Sequence, residues 1–136
     1  MDLDHVESVR ASFDRLWPLN RKFAELFYAR LFELKPEART LFPEDIEQQK
    51  VKLTAMLATI VGALDRPEMF TSIVEHLGRQ HARFGVTGAD YPIVGDALMW
   101  SLGRTLGMQL TPEARLGWTE LFERVRLSML RGASFS

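Results

Sequence analysis

Three side chains in this sequence, His81, Gln49 and Tyr28, have types and positions that could do chemistry. Residues 70–84 fit a helix, and on a wheel of about 100° per residue with Leu77 at zero, Phe70 lies near +20°, Ile73 near −40° and Val74 near +60°. His81 falls at about +40° and so continues this apolar stripe one turn further, while His76 falls at about −100°, on the flank. An inward neutral imidazole is either a core residue bonded to a backbone carbonyl or a metal ligand, and pattern leaves both open. On the helix over 46–64, with Leu53 at zero, Gln49 lies at about −40° on the apolar face. Gln48 points about 140° away, and Lys52, at about −100°, sits at the border where a long side chain can reach around. Gln49 is thus either an inward amide in need of partners or a residue still exposed at a helix start. Tyr28 lies about 100° from Phe27, at the edge of its own stripe, with a hydroxyl that faces water or a cavity.

The elements that position these residues are helical throughout, and hairpin alternation, internal repeats and low-complexity tracts are missing. Asp4 is a candidate cap for a first helix carrying Val6, Val9, Phe13, Leu16 and Trp17, which Pro18 closes. A second carries Phe23, Ala24, Phe27, Tyr28, Leu31, Phe32 and Leu34 and ends at Pro36. TLFPED reads as a corner before the Gln49 helix, and Asp65-Arg66-Pro67 separates that from the His81 helix. A helix from Tyr91-Pro92 to about Leu106 is stopped by Gly107. Thr111 then caps a last helix with Pro112 in its first turn, carrying Leu116, Trp118, Leu121, Phe122, Val125 and Met129, and the tail RGASFS is expected to fray. These are six main helices plus short turns, an all-α chain expected to form a single domain over 1–136.

Composition narrows the function. Hydrophobic residues make up 46% and charged residues 26%, as in ordinary globular proteins. A net charge of −1 gives no reason to propose nucleic acid or an anionic membrane as partner. The lack of cysteine excludes disulfides, thiolate metal ligation and iron–sulfur clusters. No signal-like or membrane-length apolar run is present, so a cytoplasmic location is expected. Phosphate loops, paired-glycine fingerprints and HExxH are also missing.

Over about residues 6 to 130, the motifs FYARLFELKPEARTLF, QQKVKLTAMLATIV, LGRQHARFGV, DYPIVGDAL and the Trp118 helix stand in an order and spacing that resembles bacterial single-domain globins, including the globin portion of flavohaemoglobins. The resemblance implies a globin fold around haem b. It implies His81 as proximal iron ligand, Phe42 stacked on the haem face, and Tyr28 and Gln49 facing the gas. It also implies Leu53, Met56, Leu77, Phe84, Val86, Tyr91, Val94 and Phe122 as pocket lining, with Lys52 and Arg83 toward the propionates. The wheel favours Gln49 over Gln48, since the other register drives Lys52 against the haem.

A Tyr/Gln pair without a distal histidine leaves the ferrous iron five-coordinate and open to O2, NO or CO. In the flavohaemoglobin type a glutamate of the last helix supports the proximal histidine; the corresponding LRGAS offers no carboxylate. The functions implied are reversible O2 binding for transport or storage or, alternatively, NO dioxygenation with an external reductase. A sensor acting through a partner and a haem-free interaction module are the other possibilities, and monomer and homodimer both stay open.

Overall fold

A computed structural model describes residues 1–134. The chain forms α1 (Leu3–Leu16), α2 (Asn20–Leu34), α3 (Glu47–Gly62), α4 (Pro67–Arg83), α5 (Asp90–Leu106) and α6 (Pro112–Ser134), with short 3-10 stretches at Trp17–Leu19, Pro36–Leu41 and Gly107–Gln109. No strand occurs among the described residues.

Helix starts and stops follow local chemistry. Asp2, rather than the expected Asp4, caps α1 by accepting from the Asp4 N–H at 2.8 Å. Both are acids ahead of the same apolar stripe, and the earlier one gains the extended backbone a cap needs. Pro67 opens α4 and Pro112 opens α6, where Thr111 Oγ1 accepts from the Ala114 N–H at 3.1 Å. Gly107, with φ 56°, ends α5 as expected. The expected fraying of RGASFS does not hold as far as Ser134: Gly132 is buried, and Ser134 Oγ donates to Leu130 O at 2.9 Å. Residues 135–136 lie outside the described residues.

The core gathers one face of every helix. Trp118, Phe23, Phe70, Leu16, Leu102, Leu121, Val9 and Val74 are fully buried, each large apolar group contributing roughly 1.5–3 kcal/mol. Trp17 and Leu116, expected on apolar faces, are instead exposed. Trp17 still shields itself against Phe13, ring centroids 5.8 Å apart.

Two helix pairs frame the site. α2 packs along α5, and α4 packs along α6. α3 and α4, joined by residues 63–66, pack little on each other; α3 is held by α2 and α4 by α6. The α4–α6 contact is made by glycine: a Cβ on Gly78 would lie 2.1 Å from Met129 O, and one on Gly132 would lie 2.1 Å from Glu75 O. Backbone therefore meets backbone, which fixes α4 one turn before His81.

Candidate functional site

The geometry at His81 is specific. Its Nδ1 lies 2.8 Å from the Leu77 carbonyl. A carbonyl can only accept, so Nδ1 carries a proton, and in the neutral ring the lone pair is left on Nε2. An ordinary core histidine makes this bond, and so does a metal-ligating imidazole whose tautomer and orientation a backbone carbonyl fixes. The backbone then turns sharply. His81 O accepts from the N–H groups of Phe84 at 3.0 Å and Val86 at 3.2 Å, and Gly85, at φ 86°, donates to Ala82 O at 3.0 Å. These paired bonds across a left-handed glycine close the helix immediately after the histidine and bring Val86 back, half-buried, beside it.

Seven of the apolar residues expected at the site are half-buried. Phe42, Leu53, Met56, Leu77, Tyr91, Val94 and Phe122 come from five segments and rest on the core while keeping part of their surface outside it. Gln49 is half-buried in the first turn of α3, whereas Gln48 and Lys52 are exposed, as the helical wheel indicates. Arg83 is exposed at the end of α4, and so is His76. Phe84 stands outside the group at 73% exposed: α4 stops at Arg83, so the wheel position that would carry its ring inward is not continued.

Tyr28 is buried in α2, and its hydroxyl donates to the backbone carbonyl of Gln49 at 3.3 Å. Its ring meets Phe42 edge-on at 5.5 Å and Phe27 at 4.9 Å, with Phe32 tilted against it at 6.0 Å. Burial pushes the hydroxyl pKa up to about 12, so Tyr28 remains a donor across the neutral range. Burial, and then the Asp90 charge, also raise the Tyr91 hydroxyl. Asp90 at the start of α5 is held in its charged form by Lys35 and by the Thr87 N–H, so its pKa lies below the ordinary carboxylate value.

His5, in α1, has a partner of its own. Its Nδ1 pairs with Glu120 at 2.9 Å, tying α1 to α6, and that bond raises its pKa. Among the described residues no group of three or more His, Asp or Glu could hold a metal ion. A metal at His81 therefore requires a frame that supplies its other ligands.

Three positioning features were not visible in the sequence. Arg39 is bonded to the corner carbonyls that follow it, Lys35 to Asp90, and Gly78 is seated on α6. The first two join residues distant in the chain or bonded to backbone, and a glycine leaves no periodic signature.

The globin family model matches residues 25–129, and the chain belongs to the globin family. It is 29% identical to neuroglobin of Tetraodon nigroviridis over 93% of this chain and 88% of that protein. It is 31% identical to a flavohemoprotein of Rhizobium meliloti over 71% of this chain but only 25% of that protein. Among solved structures, an engineered carbene transferase made from a Rhodothermus marinus protein named as a nitric oxide dioxygenase superposes with a TM-score of 0.86 and 27% identity, covering 99% of this chain and 95% of that one. A heme protein of an anhydrobiotic tardigrade gives a TM-score of 0.90 at 15% identity, covering 98% of this chain and 96% of that one, and bears on the fold alone.

Proposed function

We propose that this chain is a haem protein that binds O2, and also NO and CO, reversibly at a five-coordinate ferrous iron. The observation that carries the reading is the place of His81 inside the globin match over residues 25–129, with Nδ1 held by Leu77 O and Nε2 left as the ring's remaining acceptor. The residues present fit the group. A single imidazole suffices when a macrocycle supplies the other ligands, and the half-buried rings and aliphatic chains that rest on the core offer a wall for an apolar plate. Bound haem b supplies the coordination position at which a diatomic gas sits.

The chain's own residues do the rest. His81 holds the iron from the α4 side, and Phe42 lies against the plate. Exposed Lys52 and Arg83 can reach carboxylates at its edge. The Tyr28 hydroxyl and the Gln49 amide donate to the gas from the α2 and α3 side. Each donor contributes roughly 1–2 kcal/mol, enough to slow release by about fivefold to thirtyfold. The apolar lining keeps water from the site.

Similarity to flavohemoproteins and to a protein named as a nitric oxide dioxygenase favours a second reading, NO dioxygenation with electrons from an external reductase. Spectra of the ferric, dithionite-reduced and CO-bound protein test the first reading: a Soret band that sharpens and shifts with CO is expected, and no Soret band after hemin addition would sink it. Steady NO consumption only when a reductase is supplied would establish the second; a single stoichiometric round would dismiss it.

A further inference from the structure

One side chain gathers the carbonyls of the corner between α2 and α3. Residues 42–46 lie between the 3-10 stretch and α3, where helical hydrogen bonds are not available. Three successive carbonyls here converge on the guanidinium of Arg39. Its NH1 donates to Phe42 O at 3.4 Å and Pro43 O at 2.9 Å, and its NH2 donates to Glu44 O at 2.7 Å. The same guanidinium lies over the Phe32 ring, 5.5 Å from its centroid. Phe32 in turn packs on Phe42 at 5.8 Å and on Tyr28 at 6.0 Å, and Phe42 meets Tyr28 at 5.5 Å.

Among the described residues Arg39 has no carboxylate within ion-pair distance. Its charge is directed at carbonyl dipoles instead. A guanidinium offers five N–H donors in a fixed planar fork and can grip several carbonyls while its face stacks on a ring. An ammonium has three donors but neither the planar fork nor a flat face to stack.

We infer that Arg39 is a positioning residue: it fixes the corner so that Phe42 and Tyr28 keep the places from which one lies against the haem and the other donates to the gas. This rests on the haem reading above. Arg39 does not touch the gas or the iron; it acts through the backbone of 42–44 and through Phe32.

Arg39→Gln and Arg39→Lys test it, in the haem-loaded and the haem-free protein. With Arg39→Gln, haem loss to a scavenging apoglobin should be about tenfold faster, in line with losing a charge-assisted bond. Arg39→Lys should fail to restore the parent rate. The spectrum of the ferrous, gas-free protein should be unchanged, because His81 is untouched. In the haem-free protein, amide exchange should quicken over 42–47 and stay unaltered in α6.

Parent-like haem loss and exchange in Arg39→Gln would overturn the inference, as would full rescue by lysine or exchange that quickens equally in every helix. A parent chain that takes up no hemin would overturn the haem reading and this inference together. A parent that binds haem normally beside an unaltered variant overturns this inference alone.

Discussion

The hydroxyl of Tyr28 donates to the backbone carbonyl of Gln49 across 3.3 Å, tying α2 to the first turn of α3. Hydroxyl bonds are commonly about 2.7–2.8 Å, so this one is long and weak. The proton can turn to a better acceptor without leaving a strong bond behind. One residue thus joins the two helices and keeps a donor in reserve between them.

Tyr28→Phe should therefore speed O2 dissociation by about fivefold to thirtyfold while changing stability near neutrality by no more than about 1 kcal/mol. Its pH signature is separate. The folded pKa is raised to about 12, above an unfolded value near 10, so the unfolded chain releases the proton first and stability falls as pH rises through that window. The parent should lose up to about 2–3 kcal/mol relative to Tyr28→Phe between about pH 9 and 12. Stopped-flow release and urea titrations read the two effects, and identical alkaline slopes in the two proteins would contradict the buried hydroxyl.

At the other end of α2, Lys35 reaches Asp90 at the start of α5, and Asp90 also accepts from the Thr87 N–H at 2.8 Å and hydroxyl at 3.2 Å. The carboxylate lies at a helix N-terminus, where a negative charge is favoured. Asp90→Asn should cost about 1–2 kcal/mol at neutral pH. The folded pKa is depressed, chiefly by Lys35, so this contribution is complete above the ordinary carboxylate value and disappears as pH falls through the folded one. Denaturation midpoints of the two proteins should differ at pH about 7 and converge in acid, below the ordinary carboxylate range; a gap that persists in acid would mean the carboxylate charge is not what matters.

The helices were legible because each repeats its apolar residues at a period near 3.6, and capping and proline mark their ends. The same wheel separated half-buried Gln49 from exposed Gln48, and placed His76 outside. It would carry Phe84 inward, but the period stops with the helix at Arg83. Nor could it see Arg39 or Lys35, whose partners are carbonyls and a carboxylate brought close by the turn of the chain. The choice between Asp2 and Asp4 as cap depended on backbone angles that neighbouring acids do not encode.

Ser12 and Trp118 make a buried polar contact between α1 and α6. The indole Nε1–H donates to Ser12 Oγ at 2.8 Å, and the Ser12 hydroxyl donates on to Val9 O at 2.9 Å. Ser12→Ala would leave a buried N–H without a partner, a loss of about 1–3 kcal/mol. Trp118 is fully buried and water is not at hand to replace the oxygen. The measurement is a urea midpoint by tryptophan fluorescence, with haem content checked alongside. Stability should fall and haem content should not; an unchanged midpoint would show that the indole finds another acceptor.

Alanine substitution at two helical glycines separates propensity from packing. Gly→Ala inside a helix ordinarily stabilises by about 0.5–1 kcal/mol, because the unfolded chain loses freedom. Gly95 in α5 meets that condition: an added Cβ has nothing within 4 Å. At Gly78 the added carbon would lie 2.1 Å from Met129 O, 2.6 Å from its Cα and 2.7 Å from its carbonyl carbon, all backbone of α6. No side chain can rotate aside, so α4 must lift from α6. Gly95→Ala should raise the melting temperature slightly, and Gly78→Ala should lower stability by more than about 2 kcal/mol. Because His81 stands one turn beyond Gly78, Gly78→Ala should also lose haem faster, and Gly95→Ala should not. If both variants were stabilised, α4 would not be seated on α6 by backbone contact, and the rigidity attributed to the His81 helix would need another source.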